Sequence, residues 1–236
     1  MITINKENFI SMKGEFEAEG IEINNLSFEA INSRFNQIDY LVKISGCEAK
    51  SDINNLIDLG ITSITCPMIE TKFAMKKYMD MVDDIHFKHI GVTIETITAV
   101  ENIESIINEG GKLTNLTIGR TDLNNSYDGE GPESETNMSY VLSVASIAKK
   151  NNLKVTLGGS ISKNTINTFN KYPSLLDLID FIETRKFVMS VNSFLKQGTL
   201  NQALKLEQQL LERRVQILEI NINSKKKRIS EIKSRI

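Results

Sequence analysis

An α/β fold, a (β/α)8 barrel followed by a long C-terminal helix, is what this sequence predicts. Three observations lead there. Short β-branched runs alternate with helix-period segments from residue 12 to residue 182, the signature of a parallel sheet. Seven such strands are readable, with an eighth at either 1–4 or 187–191, and that count favours a closed barrel over an open doubly wound sheet. Neither a GxGxxG motif nor a phosphate-loop GxxxxGK follows the early strands, which argues against nucleotide-binding alternatives.

Composition sets the bounds. The chain has 236 residues, 40% hydrophobic and 25% charged, enough for a sizeable core in an ordinary globular protein. A net charge of −2 gives no pull toward nucleic acid or membrane. The charge is uneven, however: Lys225, Lys226, Lys227, Arg228, Lys233 and Arg235 face only Glu231 in the last stretch. That run is read as a solvated helix face rather than a nucleic-acid or lipid contact. Cys47 and Cys66 sit beside apolar runs without metal-ligand or disulfide spacing, so buried free thiols are expected. No secretory apolar region and no bilayer-length apolar run is present, which makes the cytoplasm the expected compartment.

The elements follow in order. Residues 1–10 alternate weakly. Met12 to Gly20 reads as a strand with a polar tip, and Leu26, Phe28, Ile31 and Phe35 are spaced as on a helix. Tyr40 to Ile44 is a strand; the helix through Ile53, Leu56 and Leu59 ends where Gly60 supplies a C-terminal turn. Ile61 to Met68 is a strand broken by Pro67, and 71–82 is a helix. A strand near 90–95, a helix from Ala99 to Asn108 and a strand at 114–119 form the βαβ unit on which the chain is centred. The polar segment 121–137 reads as its longest loop, a lid or binding loop by its length. Helix 138–150, strand 153–157, a helix stopping near Pro173 and strand 178–182 complete the alternation.

The pattern changes after Leu200. Leu211, Val215, Leu218, Ile222, Ile229, Ile232 and Ile236 recur in alternating steps of four and three, with Lys225 in the one missing place. That is a heptad seam, read either as an amphipathic helix on its own barrel or as a short coiled coil. The expected domains are therefore a barrel over 1–192 and a C-terminal helix over 193–236.

Carboxylates end two neighbouring strands. Glu95 follows Val92-Thr93-Ile94, and Asp122 lies just past Leu116-Thr117-Ile118-Gly119. Parallel strands place such tips on one face, where two hard oxygen ligands can hold Mg²⁺ or Mn²⁺. The alternative is that each caps the helix behind it. Arg120 is the candidate anchor for a substrate carboxylate, gripped bidentately, with a salt bridge to a nearby glutamate as its other reading. Lys43, Glu17, Glu19, Glu48, Glu183 and Arg185 add charge to the same face. Gly119, Gly158 and Gly159 can bring backbone close to a ligand or simply turn the chain tightly. His86 and His89 precede or begin a strand, on the opposite face, and no Ser-His-Asp or Cys-His set is visible.

With these residues laid out, the chain resembles the HpcH/HpaI aldolase and citrate lyase β-subunit family. The resemblance runs through Cys66-Pro67-Met68-Ile69-Glu70-Thr71, Ile94-Glu95-Thr96, Ile118-Gly119-Arg120-Thr121-Asp122-Leu123 and Leu157-Gly158-Gly159, over roughly residues 12–190. It implies a TIM barrel, usually a homo-oligomer. It implies Mg²⁺ or Mn²⁺ held by Glu95 and Asp122, with pyruvate or another 2-oxo acid chelated so that an enolate is stabilised when a C–C bond is made or broken. The implied activity is that of a metal-dependent carbon–carbon lyase or aldolase on a 2-oxo acid or acyl substrate. Two departures stand out. Lys43 replaces an arginine of the aldolases, and Glu17-Ala18-Glu19-Gly20 replaces a D-x-E-H tip, so Gly20 stands where the proton-transfer histidine belongs. Lys43, Arg120 and Glu19 are the catalytic candidates; Arg120, Gly119, Gly158, Gly159 and Glu48 are the substrate-binding ones. The rival expectation is a non-catalytic barrel that binds a ligand or scaffolds an assembly through its C-terminal helix.

Overall fold

The computed structural model describes residues 1–236. Eight strands close into one barrel in sequence order: β1 (Ser11–Glu15), β2 (Asp39–Lys43), β3 (Ser63–Cys66), β4 (His89–Ile94), β5 (Asn115–Gly119), β6 (Lys154–Gly158), β7 (Phe181–Glu183) and β8 (Phe187–Ser190). The helices between them are α1 (Ile23–Phe35), α2 (Lys50–Asp58), α3 (Lys72–Val82), α4 (Ile97–Glu101), α5 (Ile103–Glu109), α6 (Arg120–Asn125), α7 (Glu135–Lys150), α8 (Lys163–Lys171) and α9 (Leu175–Leu178). Two more follow the last strand, α10 (Val191–Leu195) and α11 (Thr199–Lys233).

The barrel differs from a regular (β/α)8 arrangement at its seam. β1 to β7 pair in parallel, but β8 is antiparallel to both β7 and β1. Only Thr184, Arg185 and Lys186 separate β7 from β8, far too few for a parallel crossover, so the chain turns back as a hairpin. The eighth strand is the 187–190 candidate; residues 1–4 are not a strand. β7 itself is shorter than predicted, because Leu175–Leu178 takes a helical turn.

Alternation along the strands separates two environments. Val42, Ile64, Val92, Ile94, Leu116, Ile118 and Val155 face outward into a continuous core with Leu26, Leu56, Met75, Ile106 and Val144 from the helices. The barrel interior is polar instead. The Asn115 amide oxygen accepts from the Thr156 hydroxyl across one strand pair, and Lys13 bridges β1 to Glu183 of β7. Burial on both faces explains why the strands read as apolar runs interrupted by Thr, Asn and charge.

Because β8 runs back to the strand N-termini, α11 starts at that end. Gln202 accepts from Asn8 ahead of β1, while Arg214 donates to Glu19 beyond the tip of β1. The helix thus climbs the barrel wall toward the cavity. Leu200, Ala203, Leu206 and Leu210 belong to the main core. From residue 215 through residue 230 every residue is exposed. The change in packing along α11 therefore falls near residue 214. No helix is long and apolar enough to cross a membrane.

Candidate active site at the barrel mouth

The strand tips open on a cavity of about 440 Å³. Its lining includes Lys43, Glu95, Gly119, Asp122, Gly158 and Gly159 of the sequence-derived candidates. A contiguous lobe of about 410 Å³ shares Lys43, Glu95 and Asp122 and adds Glu17, Pro67 and Met68.

Glu95 sits one residue past β4 and is 3% exposed. Thr96 Oγ1 caps α4 by accepting from the Ala99 N–H, so the cap falls to Thr96 and leaves the Glu95 carboxylate free to face the cavity. One Glu95 oxygen accepts from the Met68 N–H at 3.1 Å, and the other lies 3.4 Å from Lys43 Nζ. Burial pushes the Glu95 carboxyl above its ordinary pKa; Lys43 and the Met68 N–H oppose this, and the charge of Asp122 adds to it. Glu95 is therefore a buried carboxylate short of positive charge. Gly119 makes the approach possible: a Cβ there would lie 2.9 Å from Glu95 Cβ and 3.1 Å from Oε2.

Asp122 is carried by α6. The stretch predicted as one long loop begins with this helical turn, and the irregular part is confined to residues 126–134. The turn is packed against the glycine pair of β6. Gly159 has φ +80°, and a Cβ on it would come within 2.6 Å of the Thr121 nitrogen. Only glycine allows that contact.

Three sequence-derived candidates lie elsewhere. Arg120 is fully buried and points away from the cavity into the α6–α8 packing. It donates to the Gly158 and Gly159 carbonyls at 3.2 and 2.8 Å and pairs with Glu133 at 3.3 Å. As the first residue of α6 it leaves the strand's alternation, so it locks the loop instead of meeting substrate. Burial lowers its pKa, with Glu133 opposing. Glu19 is also turned aside: with Glu29 it is bound by Lys186 and Arg214, at 2.6–3.1 Å, in a cluster that holds α11 to the barrel. Glu48 is exposed and pairs with Lys77 at 3.0 Å.

The opposite wall joins Glu183 and Arg185, expected on this face, to Lys13, Glu15 and Glu207, which the sequence did not single out. Lys13 lies 2.5 Å from both Glu15 and Glu183. Burial pulls the Lys13 pKa down, but the two carboxylates outweigh it and hold it well above the ordinary value. Burial pushes Glu15 up, but Lys13 more than compensates and holds its carboxyl below the usual range. Arg185, from the β7–β8 turn, and Glu207, from α11, complete this wall. Burial pushes the Glu207 carboxyl up, Arg185 opposing and Glu19 adding. The available signal was Lys13 and Glu15 alternating on a strand buried on both faces, since charge there must point into the barrel.

No protein-family model and no curated protein matches the chain. Solved structures do. An HpcH/HpaI aldolase/citrate lyase family protein from Burkholderia cenocepacia J2315 aligns with TM-score 0.63 at 12% identity, over 84% of this chain and 86% of that one. Citrate synthase SbnG aligns with TM-score 0.61 at 12% identity, over 89% and 85%. An HpcH/HpaI aldolase from Desulfitobacterium hafniense DCB-2 aligns with TM-score 0.60 at 14% identity, over 70% and 74%. These likenesses agree with the resemblance carried by the four sequence motifs: the chain has the barrel fold of the HpcH/HpaI aldolase and citrate lyase structures.

Proposed function

We propose that the cavity binds a divalent cation together with a 2-oxo acid, and that the protein is a metal-dependent carbon–carbon lyase or aldolase. The observation that carries this reading is the pair Glu95 and Asp122 lining one cavity, with Glu95 under-compensated in charge. Two hard carboxylates suit Mg²⁺ or Mn²⁺, which take few protein ligands and leave places for substrate oxygens. Glu95 and Asp122 would hold the ion, which supplies Lewis-acid polarisation of a keto oxygen when bound.

The chain's own groups divide the remaining work. Lys43 places a point charge on the same wall, suited to a substrate carboxylate. Lys13 keeps its proton and acts as fixed positive charge, and Glu15 beside it stays ionised. Glu207 lines the cavity with its carboxyl pKa raised by burial, the direction that favours a proton-transfer role. It takes the role once expected of Glu19. Gly119, Gly158 and Gly159 bring backbone to the ligand's edge.

One observation favours a second reading. Glu19 is locked into ion pairs and Gly20 replaces the expected histidine, which suits a barrel that binds a 2-oxo acid without turning it over. Thermal unfolding with Mn²⁺, alone and with pyruvate or oxaloacetate, separates the two. Ligand binding to the folded state should raise the midpoint of wild type and leave Glu95→Ala unmoved. No Mn²⁺ shift in wild type would sink the metal site. A shift without oxaloacetate decarboxylation or aldol cleavage would favour the binding barrel.

A further inference from the structure

The second half of α11 leaves the barrel as a bare helix. Val215, Leu218, Ile222, Ile229 and Ile232 are each 44–53% exposed and lie along one seam. At 1.5 Å per residue the part of the helix beyond Arg214 extends about 28 Å. Its only partners in the structure are its own neighbours along the helix. An apolar heptad seam in that position calls for another helix.

We propose that this seam pairs with its counterpart on a second copy of the chain, in antiparallel orientation. The inference is independent of the barrel's chemistry. With Leu211, Leu218, Lys225 and Ile232 at d and Val215, Ile222, Ile229 and Ile236 at a, the two orientations differ in charge. A parallel pair stacks Lys225 on Lys225 in one core layer and sets Arg228 against Lys233 across the flank. An antiparallel pair places Lys225 opposite Ile222, where the ammonium reaches past the edge of the seam. It also sets flanking position e against e: Glu212 meets Lys233 and Glu219 meets Lys226, twice over by symmetry. Such flanking charges set orientation in coiled coils. The one unfavourable flank, Arg214 against Arg235, is relieved because Arg214 is already neutralised by Glu19 and Glu29 of its own barrel. In this register the two Arg214 positions stand about 28 Å apart along the helix, so both barrels fit at opposite ends.

The full-length protein should sediment as a dimer at micromolar concentration, and Ile222→Asp with Ile229→Asp should make it a monomer with an unchanged barrel unfolding midpoint. Glu219→Lys should weaken the dimer about tenfold, and adding Lys226→Glu should restore it; in a parallel pair Lys226 faces Asn221, so no rescue would occur. Orientation is read directly in a Cys47→Ser background by oxidising Leu218→Cys chains mixed with Ile229→Cys chains. Disulfides joining unlike chains are expected. A wild-type monomer at all concentrations, disulfides only between like chains, or association that survives both Asp substitutions would overturn the proposal.

Discussion

The two walls of the cavity use charge in opposite ways. On the β1–β7 wall, Lys13 answers Glu15 and Glu183, and just outside it Lys186 and Arg214 answer Glu19 and Glu29. Lys13, Lys186 and Arg214 are already committed there, while Arg185, exposed in the β7–β8 turn, makes no ion pair. On the β4–β5 wall, Lys43 lies 3.4 Å from one Glu95 oxygen, and Asp122 makes no ion pair. The paired groups of the first wall answer one another as folded, whereas the second leaves Glu95 buried with its carboxyl pKa raised, the imbalance on which the proposed cation site rests.

The largest test of that contrast is Lys186→Met. It leaves the almost fully buried Glu19 and Glu29 side chains to Arg214 alone, and should cost about 3 kcal/mol of stability in denaturant titration. Next comes Glu207→Gln, which should lower kcat by about 10²-fold and remove a limb of the pH–rate profile. The Mn²⁺-induced rise in unfolding midpoint should survive in that variant. Mn²⁺ at a hundred times its dissociation constant for the proposed Glu95–Asp122 site should add about 2.7 kcal/mol, read as a rise in midpoint.

Smaller effects calibrate the comparison. Asp180, at the far end of the barrel, accepts from the Val155 N–H and from Lys149 and Lys154, all at 2.9 Å. Burial pushes its carboxyl up, but these partners prevail and hold it below 3.8. Its stabilisation is thus fully present above the unfolded value and is lost as pH falls through the lower folded one. Asp180→Asn should cost about 1 kcal/mol at neutral pH and less toward pH 3. Smallest of all, Glu95→Gln should leave metal-free stability within about 0.5 kcal/mol of wild type or raise it, because it removes an under-compensated charge. A loss comparable to Lys186→Met would mean that the β4–β5 wall is as self-sufficient as the other.

The difference between the walls also governs what the sequence made legible. Glu95 and Asp122 were expected on one face because a strand tip fixes both position and direction, and both line the cavity. Arg120 was misplaced because β5 ends one residue earlier and α6 begins on the arginine itself, turning it off the strand's alternation. Glu19 was misplaced because β1 ends at Glu15, four residues short of it. The antiparallel β8 was legible in principle, since three residues between Glu183 and Phe187 admit a hairpin and no crossover. The ion pairs of the other wall were not legible, because they join residues up to 195 positions apart.

One consequence of α11 concerns mechanics. Leu204 and Glu207 form part of the cavity wall, Arg214 clamps the helix at the rim, and the same unbroken helix runs on to Lys233. Neither glycine nor proline interrupts it. Wall and projection are one rod, seated in the core through Leu200, Ala203, Leu206 and Leu210. The helix that carries the exposed seam is thus the one that sets the position of Glu207.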